Sequence, residues 1–201
     1  MAQIKTNNSF LADKVALRAG HLPEKELLRV LDCFGGEGRI WKAVRKLTGK
    51  KIVTLPIDIR EYDNTDFYLP GDNRAYLSTL DLSKFDVIDL DAYSIPFDQL
   101  EQVFTSGFKG IVFATFIQSI MGNIPYDMLV KLGFSTEMIK KCPTLFVKSG
   151  WRYFTEYLAL RGVKTIWHRQ HDRKHYLGFN CAEQFDEDCN IRAGDKFANL
   201  S

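Results

Sequence analysis

The chain has 201 residues and a mass of 23.1 kDa, which suits one domain with a sizeable core and is too short for two well-cored ones. Hydrophobic residues at 45% and charged residues at 26%, with 14 Gly and 6 Pro, exclude a disordered, collagenous or coiled-coil chain. The net charge of +2 conceals a segregation: 11 acids against 3 bases from Ile57 to Glu101, then 9 Lys or Arg against 2 acids from Lys140 to His175. Such a split either sets one face against an anionic partner or leaves two solvated faces.

In chain order, Lys14–Arg18 reads as a short amphipathic helix, separated by His21-Leu-Pro-Glu from an apolar run at Leu27–Phe34 that ends in glycines. Ile40–Leu47 has helical period, with Ile40, Val44 and Leu47 on one face. Lys51–Ile57 is a second strand, ending at Asp58; Arg74–Leu80 is a helix, Phe85–Leu90 a third strand and Phe97–Phe104 a helix. Gly110–Ile117 is β-branched and aromatic enough for a strand buried on both faces. Helices follow near Tyr126–Leu132 and Tyr153–Arg161, then strands Val163–Arg169 and Lys174–Asn180 around the polar turn Gln170–Arg173. Alternating strands and helices imply an α/β fold with a mostly parallel sheet covered on both faces. The last turn is too short for a parallel crossover, so the final two strands form an antiparallel hairpin.

No apolar run reaches the length of a membrane-spanning helix. The first residues lack a signal peptide's apolar region, and Cys33, Cys142, Cys181 and Cys189 show no paired short spacing, so a reduced, cytoplasmic protein is expected. Cys33 reads as a small core residue, and Cys181 and Cys189 as tail residues.

Asp32-Cys-Phe34-Gly-Gly36-Glu-Gly38 joins the first strand to a helix. Glycines there let the backbone approach a ligand, and the helix start offers free N–H groups. Trp41 stands where a nicotinamide-dinucleotide motif needs its third glycine, which disfavours that cofactor. A parallel sheet ending in an antiparallel hairpin, with Asp32, Phe34, Gly36 and Gly38 in a D-x-F-x-G-x-G pattern, resembles class I S-adenosylmethionine-dependent methyltransferases. The resemblance covers roughly Leu27 to Asn180 and implies a Rossmann-like, doubly wound, seven-stranded sheet. It also implies S-adenosylmethionine as cofactor, with its methionine part on the glycine turn and its ribose on Asp58. Gly71-Asp72-Asn73 is similar to the family's loop beside the adenine ring. Residues 1–26 then form an N-terminal lid or helix, 27–180 the core and 181–201 an acidic tail of a single domain. Lys14 and Arg18 become candidates for the cofactor carboxylate or a substrate phosphate.

Asp86, Asp89 and Asp91 crowd the third strand, and three acids there do not all suit a buried strand. Asp91 ends it, at the sheet edge where open α/β folds place ligands. An exocyclic base amine is a poor nucleophile, because its lone pair is delocalised into the ring. A carboxylate and the next backbone carbonyl, here Asp91 and Ala92, supply two acceptors that orient the lone pair and take up developing positive charge. Tyr93 just beyond is placed to stack on a base. Asp91-Ala-Tyr-Ser-Ile-Pro96 resembles the I-D-L-D-P-F-G-S-P segment of tRNA (guanine-N2)-dimethyltransferases. Gly110–Gly122 is similar to that family's next strand and its polar, glycine-ended loop. Ala92 replaces the family's proline, keeping the carbonyl and losing the rigidity, and Ser94-Ile95 replaces Gly-Ser. Asn123-Ile-Pro-Tyr126 mimics an N-P-P-Y box one strand too late, and reads better as a turn before a helix.

The segment Trp167–Tyr176 is dense in donors and aromatics. If its first strand runs parallel to the rest of the sheet, Arg169, Arg173 and Lys174 lie on the substrate side and meet phosphates. His168, His171 and His175 lack a companion cysteine or carboxylate pattern, so they read as exposed hairpin histidines and no metal is expected. The tRNA dimethyltransferases carry an additional tRNA-binding domain for which this chain has no room. A compact enzyme then binds RNA with its own basic face, acts on a smaller substrate or borrows a protein partner. The alternatives are a DNA amino-methyltransferase and a catalytically inert methyltransferase-like module that binds nucleic acid or another subunit.

Overall fold

A computed structural model describes residues 10–60, 67–117 and 124–181. Outside them lie the expected polar loop at 118–122, Asn123 of the N-P-P-Y mimic, Cys189 and all but the first residue of the acidic tail. Seven strands form one sheet: β1 (Leu27–Asp32), β2 (Lys51–Asp58), β3 (Leu69–Pro70), β4 (Val87–Leu90), β5 (Ile111–Ile117), β6 (Ile166–His171) and β7 (Lys174–Asn180). Their order is β3-β2-β1-β4-β5-β7-β6. The first five pair in parallel, and β7 is antiparallel to both β5 and β6. The fold is therefore the doubly wound, mostly parallel sheet with a terminal antiparallel hairpin that the sequence implies.

The helices are α1 (Leu11–Ala19), α2 (Arg39–Thr48), α3 (Asn73–Leu77), α4 (Phe97–Thr105), α5 (Tyr126–Lys131), α6 (Thr136–Lys141), α7 (Pro143–Lys148) and α8 (Gly150–Leu160). One sheet face carries α1 and α2, with Val15, Leu17, Val30, Trp41, Val44, Phe113 and Tyr176 packed together. The other carries the remaining core, with Ile88, Leu100, Phe116, Phe154, Tyr157 and Phe179 among its members. Gly38 and Gly49 bracket α2 with φ of 66° each, a left-handed conformation that costs glycine little.

Several local expectations change. Trp41 and Val44 form the buried stripe of α2 and Leu47 is exposed, because the Trp41 indole is drawn inward to a buried carboxylate on β4. The segment after β5 holds two further helices, α6 and α7, each only 6 residues and too short to declare a period. The hairpin loop is two residues, Asp172 and Arg173, and Asp172 has φ 52°, suited to the strand twist. Cys181 belongs to the core, its N–H bonded to the Gly110 carbonyl at 2.8 Å. In β7, Gly178 sits against Phe113, where a Cβ would come within 2.7 Å of the ring.

Candidate active site

Because β1, β2 and β4 are parallel neighbours, their carboxyl ends bring Asp32, Asp58 and Asp91 to one edge, where the strand order reverses between β1 and β4. The turn after β1 folds back on β2. Gly35 N–H donates to the Ile57 carbonyl at 3.0 Å, and Gly36 N–H to the Asp58 carboxylate at 3.0 Å. A Cβ on Gly35 would lie 2.5 Å from that of Pro56, so only glycine permits this approach. Gly36, at φ 49°, and Gly38 both hold left-handed backbone. A cavity of about 200 Å³ opens here, walled by Asp32, Phe34, Gly36, Asp58, Asp91 and Tyr93. Lys14, Gly35, Glu37, Arg39, Ile40, Ile59 and Arg60 complete its walls. Carboxylates for hydroxyls and cationic centres, backbone N–H groups and the apolar Phe34, Ile40 and Ile59 fit the chemistry of S-adenosylmethionine.

Asp91 is nearly enclosed. Lys14 Nζ donates to its two oxygens at 2.9 and 2.7 Å, and the Thr115 hydroxyl donates to Oδ1. Burial pushes this carboxyl up, but the charges of Arg18 and Lys14 and these hydrogen bonds outweigh it, so Asp91 stays below the usual carboxylate range. Asp32 moves the opposite way: burial, reinforced by Asp89 and Asp91, pushes it well up against the opposing charge of Arg18. Two neighbouring carboxyls driven in opposite directions mark the end of β4 and the glycine turn as a candidate functional site. Ala92 is buried with its N–H turned back to the Leu90 carbonyl at 2.8 Å, while Tyr93 is 60% exposed on the cavity rim.

Of the three acids only Asp89 lies within β4, and it is fully buried. Arg18 grips it with two bonds of 2.7 and 2.6 Å, and Trp41 Nε1 adds a third at 2.8 Å. Asp86, before the strand, is taken by Lys25 and the Arg29 N–H. Lys14 and Arg18 thus meet carboxylates of the chain itself. Burial opposes the charge on Arg18, but Asp89, aided by Asp91 and Asp32, raises its pKa beyond the ordinary guanidinium value.

Asp72 and Asn73 do not wall the cavity. Asp72 caps α3 through the Arg74 N–H and pairs with the Arg74 guanidinium. Asn73 is buried, donating to the Cys33 carbonyl at 2.7 Å and accepting from Gln99 at 2.9 Å, so it braces the glycine turn from behind. Gly38 starts α2 and is likewise absent from the wall. Sequence reasoning passed over Thr115, Arg39, Ile40, Ile59 and Arg60. Thr115 did leave a signal, the one hydroxyl in the apolar strand IVFATFI.

Both β5 and β6 run antiparallel to β7, so they run parallel to each other and the hairpin tip lies at the Asp91 edge. Arg169 and Arg173 are exposed, and Lys174, half-buried, stands opposite Ile117 at the end of β5. His168 is exposed as expected, whereas His171 is half-buried and His175 is buried. His171 stacks on Phe10 at 4.0 Å and lies 3.1 Å from Asp13 of α1. His168 Nε2 and His175 Nδ1 are 2.9 Å apart, and both rings lie flat on Trp151. Among the described residues no group of three or more His, Cys, Asp or Glu is placed to hold a metal, and no helix is long and apolar enough to cross a membrane.

No protein-family model matches the sequence, and no curated protein matches it. Solved structures do. A candidate exported protein from Bordetella parapertussis superposes with TM-score 0.54 at 10% identity, over 85% of this chain and 66% of that one. A candidate class I S-adenosylmethionine-dependent methyltransferase from Listeria monocytogenes gives 0.52 at 14% identity, over 89% and 61%. A candidate rRNA methylase from Clostridium thermocellum gives 0.50 at 12% identity, over 85% and 94%. The likeness is one of fold: the chain has the sheet of class I methyltransferases.

Proposed function

We propose that this protein transfers a methyl group from S-adenosylmethionine to an exocyclic amine of a nucleic-acid base. RNA is the favoured acceptor, and within it a guanine N2 of tRNA. The observation that carries this reading is Asp91, held by Lys14 and Thr115 on the wall of the cavity that the glycine turn and Asp58 also line. When bound, S-adenosylmethionine supplies an electrophilic methyl group on a sulfonium. Asp32, Phe34, Gly36 and Gly38 are assigned to its methionine part and Asp58 to its ribose. Asn73 is retained on the adenine side through its bond to the Cys33 carbonyl, and Asp72 beside it as the cap of α3.

Asp91 and the Ala92 carbonyl accept the two N–H groups of the incoming amine, and Tyr93 stacks on the base. A base amine is uncharged at neutral pH, so it attacks without first losing a proton. As the N–C bond forms and the C–S bond breaks, positive charge grows on nitrogen beside a carboxylate already ionised, and the surplus proton leaves to solvent. An alkylammonium acceptor is disfavoured by the same feature, because a carboxylate held ionised keeps the amine protonated and unreactive. Arg169, Arg173 and Lys174 are assigned to backbone phosphates, with a protein partner as an additional route to substrate recognition.

The test is transfer of labelled methyl from S-adenosylmethionine to bulk RNA and bulk DNA in parallel, followed by nucleoside analysis. A methylated guanosine from RNA is expected. A labelled deoxynucleoside would move the assignment to DNA, and cofactor binding with no labelled product would favour the inert module. Asp91→Asn is expected to lower transfer about 10²- to 10⁴-fold while cofactor affinity stays within about threefold. Undiminished transfer would remove Asp91 from the mechanism.

A further inference from the structure

Lys14 and Arg18 stand four residues apart on α1, a rise of about 6 Å. Asp89 and the residue two beyond it, Asp91, are separated by about 6.6 Å along an extended chain. The spacings match, so one helix face delivers a cation to each carboxylate. The two rungs differ in character. Arg18 and Asp89 have side chains only 2% and 1% exposed, and that pair anchors the helix. The Lys14 and Asp91 side chains are 14% and 11% exposed, both line the cavity, and the Lys14 ammonium also lies 4.9 Å from the centre of the Tyr176 ring.

An ammonium presents N–H donors to Asp91, which is what an acceptor amine must also do. We infer that Lys14 holds the acceptor position on Asp91 in the free protein, and that the incoming amine displaces it, making Lys14 the competitor every acceptor has to outdo. This rests on the role proposed above for Asp91. The exchange is mechanically simple. A lysine stem is flexible, and this pair, which keeps some contact with the cavity, opens more easily than the fully enclosed Arg18–Asp89 pair. Arg18 keeps α1 in place while Lys14 swings out, and Thr115 continues to orient the carboxylate. With Lys14 on its wall the cavity of about 200 Å³ falls short of the roughly 300–1,000 Å³ common for small-molecule sites, and withdrawal of the stem enlarges it.

The experiment uses the full chain, bulk tRNA as probe at fixed salt, and Lys14→Met, which keeps length and removes charge. Lys14→Gln serves as a second variant, with thermal unfolding as the folding control. We expect the tRNA dissociation constant, measured by anisotropy without cofactor, and the KM for tRNA both to fall at least about twofold, the floor that a solvent-exposed pair would set. The direction is diagnostic, because a lysine that bound phosphate would weaken RNA binding on losing its charge. The gain should vanish in an Asp91→Asn background, where Lys14→Met should bind no tighter than its parent. Weaker or unchanged tRNA binding, a gain that survives Asp91→Asn, or a hundredfold loss of kcat would overturn the inference while leaving the proposed reaction standing. Failure of wild type and variants alike to bind or methylate tRNA would remove the RNA reading and this one with it.

Discussion

Replacing Arg18 by methionine removes both charged hydrogen bonds to Asp89 and leaves a carboxylate of zero exposure with the Trp41 indole as its remaining side-chain donor in that cluster. Breaking a buried pair from one side costs about 3–5 kcal/mol, because the surviving charge stays desolvated. Against a total stability of about 5–15 kcal/mol the loss is large, and for a chain of this length it lowers Tm by on the order of 10 °C. Urea titrations of wild type and variant should show the deficit directly. Adding Asp89→Asn should recover part of the loss, with about 2 kcal/mol of non-additivity. A deficit under about 1 kcal/mol, or simple additivity, would refute the view that this pair is desolvated and anchors α1.

Asp58→Ala frees the N–H groups of Gly36 and Arg60 as well as its own oxygens. It should weaken S-adenosylmethionine binding about 10- to 100-fold by calorimetry, and an unchanged constant contradicts its place in the cofactor site. Joint replacement of Arg169, Arg173 and Lys174 by alanine should weaken RNA binding and flatten the slope of log K against log salt by up to about 2, at roughly 0.7 per phosphate contact. An unaltered slope would take the hairpin out of the RNA path. Burial, with His168 beside it, lowers His175 to about 4, so its neutral form belongs to the folded state. The unfolded ring takes its proton nearer the ordinary value, about 6.5, and stability tied to His175 is lost as pH falls from there towards 4. His175→Phe should lose less stability than wild type across that interval in urea midpoints, and parallel curves would count against it.

Strand and helix alternation was readable because buried parallel strands such as Gly110–Ile117 are continuously apolar, and a turn as short as Gln170–Arg173 admits only an antiparallel return. Asp32, Asp58 and Asp91 were readable for a related reason, since each ends a strand of one parallel set. What escaped depended on partners distant along the chain. Which of Asp86, Asp89 and Asp91 is buried was not readable, because the guanidinium that neutralises Asp89 lies 71 residues away. The stripe of α2 was misplaced by one residue because Trp41 follows a hydrogen bond rather than hydropathy alone. Asp72 and Asn73 were read for a ligand, while their side chains answer Arg74, Cys33 and Gln99. His171 and His175 of the hairpin were read as solvent-facing because Phe10 and Trp151, which cover them, belong to other elements.

The missing side chain at Gly178 acts as a dowel hole for the Phe113 ring. Sliding β7 by one residue would drive either Leu177 or Phe179 into that ring and turn every other side chain of the strand to the wrong face. The strand is thereby indexed to β5, which keeps Tyr176 opposite Thr115 and Lys174 opposite Ile117. Since Thr115 touches Asp91, the cations of the hairpin inherit a fixed offset from that carboxylate, measured in strand residues. A glycine at the far end of the chain thus sets the alignment tolerance between the proposed grip on a polymer and the proposed point of chemistry.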